Sequence, residues 1–418
     1  MDIKDVVLNI AKKAKESSYY IAKLSTLDKN NLLINMAEEI EANIDYIQEE
    51  NKKDLEYAKE KSFSNAFIDR LLLNENRIRS MAQGIREIAQ LPDPVGEYIW
   101  TKKRPNGLQI SKVRTPLGVI AVIYESRPNV TADAASLCLK SGNTIILRGG
   151  KEAINSNCAI ADILQKSLRK FNLPAEIVSI IKDTNRQAIT ALVKLDQYID
   201  VIIPRGGENL INAVRQDAII PVVFHAKGNC HLYIDKEADI EMAHKITINA
   251  KVQRPGVCNA IETLLVHKSI AKKILPDLIK KLKELNVEIR GCQKTKNIVN
   301  NIKEASEKDW EEEYLSLILA VKVVENMEEA ICHIRKYGSL HSEGIVTNSI
   351  FRINKFTQEV DASAIFVNSS TRFNDGNQFG LGAEIGISTQ KLHVRGPMGL
   401  EDLTSTKYIV LGNGQIRE

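Results

Sequence analysis

Short apolar segments alternate with helical segments after residue 118, and this alternation limits what the chain can fold into. Helical stretches that begin near Asn129, Glu152 and Asn185 separate the apolar segments. The apolar segments are Val119 to Tyr124, Thr144 to Leu147, Ile177 to Ile181 and Val201 to Ile203. Strands that alternate with helices usually pair in parallel, because each helix carries the chain back to the same edge of the sheet. The pattern therefore predicts a parallel α/β sheet.

A second group of strand candidates lies further along the chain. They are Glu262 to Val266, Leu315 to Val324, Gly344 to Thr347 and Ala364 to Asn368. Helical segments separate these strands as well, which again favours parallel pairing. A length of 418 residues is enough for two such cores. We therefore expect two α/β domains.

Segments outside the two strand groups differ in character. The first ninety or so residues are predicted to be helices, and Leu91-Pro92-Asp93-Pro94 ends that pattern. Two polar arms from Trp100 to Thr115 flank the turn residues Pro105-Asn106-Gly107, which predicts a hairpin. The tail, Leu403 to Gly414, ends in a strand with no neighbour in sequence. That strand must pair elsewhere, and another subunit is one place.

Charge and composition exclude several classes of protein. The net charge is +4 and basic residues are scattered among acidic ones, which excludes a nucleic-acid-binding stripe and favours small anionic ligands. No apolar stretch is long enough to cross a bilayer and no targeting segment is evident, so we expect a cytoplasmic protein. The cysteines are too far apart for a metal site or a disulfide framework: Cys138, Cys158, Cys230, Cys258, Cys292 and Cys332.

Cys258 has the most reactive setting of the six cysteines. It lies in the loop Gln253-Arg254-Pro255-Gly256-Val257-Cys258, with basic residues nearby and an apolar strand after it. Such a setting is compatible with a thiolate. The alternative is that Cys258 is a small buried apolar residue, as free cysteines often are. The residues alone leave both interpretations open.

A resemblance favours the reactive interpretation. Gln253 to Val266 resembles the active-site cysteine segment of the aldehyde dehydrogenase superfamily. Thr115 to Thr131 and Phe379 to Thr389 resemble the branch of that superfamily that reduces glutamyl 5-phosphate. Further agreement follows in the same order at Lys140 to Lys151, Pro221 to Ile234 and His393 to Gly399. The resemblance implies an aldehyde-dehydrogenase-like α/β fold with a cofactor domain, a catalytic domain and an oligomerisation element.

The resemblance also implies a domain plan and an assembly. Residues 1–97 and 117–228 would form the cofactor-binding domain, and residues 229–389 the catalytic domain. Residues 98–116 and 390–418 would form an oligomerisation hairpin and strand, which predicts a homo-oligomer. No second catalytic region is present, so the acyl phosphate would come from a glutamate kinase in a transient complex.

The implied activity is NADPH-dependent reduction of L-glutamyl 5-phosphate to L-glutamate 5-semialdehyde, with release of phosphate. This is the second step of L-proline synthesis. Cys258 would attack the acyl carbon and form a thioester. Arg127 and Asn129 would donate to the developing oxyanion. The alternative for both is that they end a strand and cap the next helix.

One departure from the superfamily narrows the chemistry. Oxidising aldehyde dehydrogenases have Glu-Leu-Gly-Gly where this chain has His225-Ala226-Lys227-Gly228, and their Glu activates the hydrolytic water. Loss of that base protects a thioester from water, which favours reduction of an acyl phosphate over oxidation to an acid. His225 could bind the substrate phosphate or be a structural hydrogen-bonding residue. Both interpretations remain open.

The predicted cofactor is NADP(H), held without the Rossmann glycine fingerprint, which is absent. Arg148 and Lys151 beside two glycines would hold a ribose 2′-phosphate, and the Gly-Gly turn after the strand Val201 to Ile203 would meet the pyrophosphate. Glu313 would bind the nicotinamide ribose. The predicted cofactor residues are Arg148, Gly149, Gly150, Lys151, Arg205, Gly206, Gly207 and Glu313. Ordinary turns with solvated charges are the alternative.

The predicted substrate residues are His225, Arg254 and Arg372, and no metal is expected. Two other functions remain open at this point. The same cysteine chemistry would serve a coenzyme A-acylating aldehyde dehydrogenase. A catalytically idle chain that binds nucleotide or a partner enzyme is the third possibility, because a fold alone does not guarantee chemistry.

Overall fold

The fold is described from a computed structural model that covers residues 2–225 and 227–417. Residues 1 and 418 of the predicted domains, and Ala226 of the segment His225-Ala226-Lys227-Gly228, lie outside the described residues. The helices are α1 Ile3–Ile21, α2 Thr26–Ala42, α3 Ile44–Glu60, α4 Asn65–Leu71, α5 Glu75–Gln90, α6 Val130–Lys140, α7 Ile154–Lys170, α8 Arg186–Leu192, α9 Glu208–Asp217, α10 Ile240–Val252, α11 Lys268–Glu284, α12 Gln293–Lys296, α13 Glu307–Glu311, α14 Met327–Tyr337 and α15 Ile350–Glu359.

The strands follow in the same chain order. They are β1 Tyr98–Lys103, β2 Gln109–Pro116, β3 Val119–Tyr124, β4 Thr144–Gly149, β5 Val178–Ile180, β6 Val201–Arg205, β7 Cys230–Ile234, β8 Ile261–His267, β9 Glu288–Gly291, β10 Lys303–Glu304, β11 Ile318–Val324, β12 Ser342–Val346, β13 Ala364–Val367, β14 Ile387–Ser388, β15 Gly396–Pro397 and β16 Thr404–Leu411. None of the helices within residues 2–225 and 227–417 has the length and apolar character needed to cross a bilayer.

The chain forms two compact units. The first comprises Met1–Phe224, Gly380–Gly386 and Met398–Glu418. The second comprises His225–Phe379 and Ile387–Pro397. The hairpin and the C-terminal strand thus belong to the first unit.

A four-stranded parallel sheet in the order β5-β4-β3-β6 organises the first unit. Every residue of β3 is buried, as expected for a parallel strand covered on both faces. The predicted parallel sheet is confirmed. Its strand order reverses beside β3, because β4 and β5 lie on one side and β6 on the other. Ligands of open α/β sheets bind at the carboxyl ends of strands at such a reversal.

The N-terminal helices cover this sheet, as their periodicity predicts. Val7, Ala11 and Ala14 lie on one stripe of α1 and are fully buried in the same apolar cluster as Val119 and Ala121 of β3. Ser25 caps α2 by accepting a hydrogen bond from the Asp28 backbone N–H. Burial of such stripes, rather than intrinsic propensity, supplies most of the stability of these helices.

A separate three-stranded sheet has the order β1-β2-β16. The predicted hairpin is confirmed, because β1 and β2 pair antiparallel. β16 pairs antiparallel with β2, from Thr404 opposite Pro116 to Leu411 opposite Gln109. The suggested pairing of the tail strand in another subunit is thereby corrected: the free edge of β2 in the same chain satisfies its backbone groups.

A seven-stranded parallel sheet in the order β10-β9-β11-β8-β7-β12-β13 organises the second unit. The sequence pattern did not predict β7, β9 or β10. The polar His231 interrupts the apolar run of β7, although it is buried and its Nδ1 lies 3.0 Å from Glu343 Oε2. β11 begins at Ile318 rather than at Leu315, because Leu315 has a left-handed φ of 50° that a strand does not allow.

Candidate active site

The loop between α10 and β8 presents Cys258 at the amino end of the central strands of the second unit. Cys258 is a free, half-buried thiol. β7 and β8 start in register, with Cys230 opposite Ile261. The nucleophile therefore lies at the opposite edge of its sheet from the usual ligand site of an α/β sheet.

Two alternate residues of one extended segment clamp the main chain of Cys258. Gly228 lies so close that a Cβ there would be 2.1 Å from the Cys258 carbonyl oxygen and 2.5 Å from its Cα. The buried Cys230 thiol donates to the same carbonyl oxygen at an Sγ–O distance of 3.1 Å. Burial raises the pKa of Cys230 well above its ordinary value. Cys230 is thus a neutral hydrogen-bond donor that helps to fix the Cys258 backbone.

The other side of the loop is held through Asn259. Its carbonyl oxygen accepts from the Thr371 hydroxyl at 2.6 Å, and its Nδ2 donates to the Asn374 carbonyl at 2.9 Å. Arg372 donates from its guanidinium to Asn259 Oδ1 and, at 2.8 Å, to Gln253 Oε1. Much of the predicted substrate residue Arg372 is therefore engaged in holding the loop.

Two cations lie near the thiol within the second unit. Burial lowers the pKa of Arg372, the positive charge of Arg254 lowers it further, and Cys258 opposes the shift. Arg254 and Cys258 are therefore both close enough to Arg372 for their charges to affect it. Arg254 is exposed, so its charge is accessible to an anionic ligand.

Glu313 holds the segment that packs against the Cys258 backbone. Its Oε1 accepts from the Gly228 backbone N–H at 2.8 Å. A carboxylate predicted to bind a ribose therefore also fixes the segment that supports Cys258.

A buried ion pair lies behind the loop. Lys251 at the end of α10 pairs with Glu262 of β8, and both side chains are 0% exposed. The second oxygen of Glu262 accepts from the Leu315 backbone N–H at 3.2 Å. Burial raises the pKa of Glu262 to about 7 although Lys251 opposes this, and burial lowers the pKa of Lys251. The pair joins the two chain segments that flank the active-site loop.

His225 is half-buried and has a defined tautomer. Its Nδ1 lies 3.0 Å from the Ile387 carbonyl oxygen, which can only accept, so Nδ1 carries a proton. Its ring meets that of His341 edge to face at 5.6 Å. Burial lowers the pKa of His341 to about 4, so His341 is neutral at pH 7. Nε2 of His225 makes no hydrogen bond among the described residues, so it can contact a ligand.

The first unit brings three strand ends together. Tyr124 of β3 is in register with Gly149 of β4 and Arg205 of β6. Glu125 accepts from the Gly207 backbone N–H at 3.0 Å, which joins the ends of β3 and β6. Arg205, Gly206 and Gly207 therefore lie at the strand-order reversal, and Gly207 is the N-cap of α9.

The turn after β4 separates the two predicted cations. Arg148 is 7% exposed, and its guanidinium donates to the carbonyls of Gly149, Thr184 and Asn185. Lys151, in contrast, is exposed. A Cβ at Gly150 would be 2.2 Å from the Glu152 carboxylate, so a side chain there would have to displace that carboxylate. Lys151 is thus the accessible cation of the pair.

Asn129 and Arg127 follow β3 at the same edge of the sheet. Asn129 is the N-cap residue of α6, but its side chain makes no capping hydrogen bond. Its Nδ2 donates instead to Asp133 Oδ2 at 2.8 Å. Arg127 is exposed. The Asn129 side chain therefore does not cap α6, which was the alternative interpretation of this residue.

Sequence reasoning missed Gly228, Cys230 and Asp133. Asn129 and Asp133 are four residues apart at a helix start, and that spacing could have indicated the pair. Gly228 and Cys230 gave no local indication, since they contact Cys258 about thirty residues away. Such contacts appear only once the sheet forms.

Comparisons with known proteins show which family this chain belongs to. The aldehyde dehydrogenase family model matches residues 3–298. A gamma-glutamyl phosphate reductase from Carboxydothermus hydrogenoformans is 57% identical over 413 residues, which cover 99% of this chain and 100% of that protein. Another from Thermodesulfovibrio yellowstonii is 54% identical over the full length of both chains.

A solved structure supports the same assignment. The gamma-glutamyl phosphate reductase from Thermotoga maritima superposes with a TM-score of 0.97 at 47% identity, covering 99% of this chain and 100% of that one. The aldehyde-dehydrogenase-like fold expected from the resemblance is thereby confirmed. This oxidoreductase chain belongs to the aldehyde dehydrogenase family and, within it, to the gamma-glutamyl phosphate reductases.

Proposed function

We propose that this chain uses NADPH to reduce L-glutamyl 5-phosphate to L-glutamate 5-semialdehyde and inorganic phosphate, through a thioester on Cys258. The observation that carries the proposal is the clamped Cys258 loop beside Arg254 and Arg372. The reaction would be the second step of L-proline synthesis, in keeping with the relatives named gamma-glutamyl phosphate reductase.

The first chemical step falls to Cys258. Its sulfur forms a bond to the acyl carbon, and the bond from that carbon to the phosphate oxygen breaks with its electron pair. Phosphate leaves without needing a proton from the protein. The fixed backbone from Gly228 to Cys230 keeps the sulfur in place, which is how positioning lowers a barrier.

The acyl oxygen becomes negative when the sulfur adds and again when the thioester is reduced. We propose that the Cys258 backbone N–H and the Asn129 amide donate to it, and that Arg127 attracts the anionic substrate. Asn129 suits this role because its side chain is not used as a helix cap. After reduction the thiohemiacetal collapses, releasing the aldehyde and the Cys258 thiolate.

The thioester must survive until it is reduced. His225 stands where oxidising relatives in the superfamily have a glutamate base, and its Nδ1–H is held by the Ile387 carbonyl. We propose that His225 contacts the substrate phosphate through Nε2, together with Arg254. Arg372 then acts mainly by holding the loop at Asn259 and Gln253.

The ends of β3, β4 and β6 fit a dinucleotide phosphate. Lys151 provides an exposed cation at this edge. Gly150 and Gly206 have no side chain, so a phosphate can approach their backbone, and α9 begins after Gly207. We propose that these residues hold NADP(H), that Arg205 contacts the pyrophosphate, and that Glu313 contacts the nicotinamide ribose. NADPH, when bound, supplies the hydride that reduces the thioester. Arg148 supports the turn through Gly149 and Thr184 rather than meeting the 2′-phosphate itself.

Lys151→Met is expected to raise KM for NADPH about 10- to 100-fold. A loss of this size corresponds to about 1.5–3 kcal/mol, the net contribution of one hydrogen bond to a charged group. KM for NADH should stay within twofold, because NADH lacks the 2′-phosphate. Steady-state kinetics with both cofactors measures this. Lys194→Met, at another exposed lysine of the first unit, is the control. Equal losses with both cofactors would remove Lys151 from the 2′-phosphate site.

Gly228→Ala is expected to lower kcat about 100-fold, because the new methyl group must displace the Cys258 backbone it would otherwise overlap. KM for NADPH should change little. Gly84→Ala is the control, since a Cβ at Gly84 in α5 meets nothing within 4 Å. Stopped-flow reduction assays with both variants measure the effect. Full activity in Gly228→Ala would show that the clamp is not needed.

NADP reduction with L-glutamate 5-semialdehyde, with and without phosphate, tests the function in reverse. We expect reduction that requires phosphate. Phosphate-independent reduction would indicate oxidation to an acid, and reduction that requires coenzyme A would indicate the acylating alternative. Absence of reduction under all conditions would favour a chain that binds without catalysis.

We also propose that the chain is a homo-oligomer. Tyr408 and Val410 are two residues apart on β16, so they lie on the same face of the small sheet, and each is more than half exposed. An apolar surface of this kind is typical of a subunit contact. Sedimentation equilibrium measures the assembly, and a monomer at micromolar concentration would contradict it.

A labile acyl phosphate is best consumed near its source. We therefore propose a cytoplasmic location and a transient complex with a glutamate kinase. Coupled assays test the complex by placing kinase and reductase in one compartment or on two sides of a dialysis membrane. Equal coupled rates in both arrangements would contradict it.

A further inference from the structure

The pair formed by Asn129 and Asp133 has no helix-capping purpose. The backbone of Asn129 is already helical, with φ −59° and ψ −27°, and its side chain makes no capping bond. Nδ2 of Asn129 donates instead to Oδ2 of Asp133, 2.8 Å away and one helical turn further on. The side chain is therefore oriented by Asp133.

That bond decides which way the amide faces. A carboxylate oxygen can only accept, so the nitrogen of the Asn129 amide must face Asp133. One of the two N–H groups is used by the bond, and the other remains for a ligand. Without the carboxylate the amide could turn by half a rotation and present its oxygen, which would repel a developing oxyanion.

The surroundings of Asp133 keep it in place. The carboxylate is half-buried in α6. Burial raises the pKa of Asp133 to about 6, while the Asn129 hydrogen bond and the charge of Arg205 oppose the rise. Arg205 in turn lies against Gly386, where a Cβ would be 2.6 Å from its Nη1. The carboxylate thus has a hydrogen bond and a cation that favour its charged form.

We propose that Asp133 is a positioning residue for acyl-phosphate reduction, which orients the Asn129 amide so that its second N–H is available to the developing oxyanion. The inference rests on the proposed function, in which Asn129 is an oxyanion donor. A purely structural role predicts something else: an i,i+4 pair adds only about 0.2–0.5 kcal/mol to a helix and leaves kcat unchanged.

A double-mutant cycle separates the two roles. Asn129→Ala should lower kcat about 10²- to 10³-fold, as loss of an oxyanion donor does elsewhere. Asp133→Ala should lower kcat about tenfold, because it removes part of the stabilisation that Asn129 gives the oxyanion. KM for both substrates should stay within twofold. In the Asn129→Ala background, Asp133→Ala should cause no further loss. Asp133→Asn keeps an accepting oxygen and should restore most of kcat.

The matched control is Glu87→Ala. Glu87 accepts from the Gln83 amide four residues earlier on α5, at 3.3 Å on an exposed face. This variant should keep full kcat. Should Asp133→Ala fail to fold, Asp133→Ser and Asp133→Asn carry the same comparison, because serine is too short to hold the amide and asparagine is not.

The outcomes are distinct. Additive losses from Asn129→Ala and Asp133→Ala, or unchanged kcat in Asp133→Ala and Asp133→Ser, would overturn the inference and leave the proposed function intact. Unchanged kcat in Asn129→Ala would overturn both the oxyanion role of Asn129 and the inference. Absence of phosphate-dependent turnover in the unmodified protein would overturn the proposed function itself.

Discussion

Replacing Cys258 by alanine is expected to lower the rate of acyl-phosphate reduction by about 10⁴-fold or more, because loss of a catalytic nucleophile removes the covalent route entirely. The fold should persist, since the Cys258 thiol is half-buried and the loop is held through the Cys258 carbonyl and Asn259 rather than through the sulfur. Single-turnover kinetics and thermal unfolding of the same preparation measure both properties.

Cys332→Ala is the matched control for this prediction. Cys332 is an exposed free cysteine of α14 in the same unit. Its replacement should leave the rate within twofold. A Cys258→Ala protein that still reduces the acyl phosphate at more than a tenth of the normal rate would show that no thioester forms there.

Lys251→Met is expected to destabilise the protein by about 3–5 kcal/mol, the usual cost of leaving one member of a buried ion pair unpaired. Lys251 and Glu262 are both inaccessible to solvent, so water cannot replace the lost partner. Glu262 also holds the Leu315 backbone N–H, so its displacement would disturb the turn beside the active-site loop. Equilibrium unfolding in urea, with a probe in the second unit, measures the loss.

Two variants test the cause of that loss. Lys251→Met combined with Glu262→Leu should recover much of the stability, because it removes the unpaired charge. Lys268→Met breaks an exposed pair with Glu325 and should cost less than about 1 kcal/mol. Equal losses in Lys251→Met and Lys268→Met would contradict the account of the buried pair.

The parallel sheets were predictable because fully buried parallel strands are continuous apolar runs. Val119 to Tyr124 is such a run, and β3 has the same bounds. β7 escaped prediction because His231 is polar in sequence yet buried in the structure, where Glu343 accepts its hydrogen bonds. The partner of β16 was not predictable either, because strand pairing across about 290 residues has no local pattern.

At the site, too, local sequence patterns were predictable and contacts between distant segments were not. Proline and glycine around Cys258 indicated its loop, and the glycine pairs indicated the turns after β4 and β6. The sequence could not show that Arg148 is buried against main-chain carbonyls while Lys151 is exposed. Nor could it show that Gly228 touches the Cys258 backbone. Those facts depend on how distant segments pack.

The most direct measurement of the central claim is rapid acid quenching and mass spectrometry of the protein mixed with L-glutamyl 5-phosphate, generated in place by a glutamate kinase with ATP and glutamate, in the absence of NADPH. The account predicts one glutamyl group per chain, on the peptide that contains Cys258, and its loss when NADPH is added. No acyl group on Cys258, together with normal NADPH-dependent turnover in the same preparation, would contradict it.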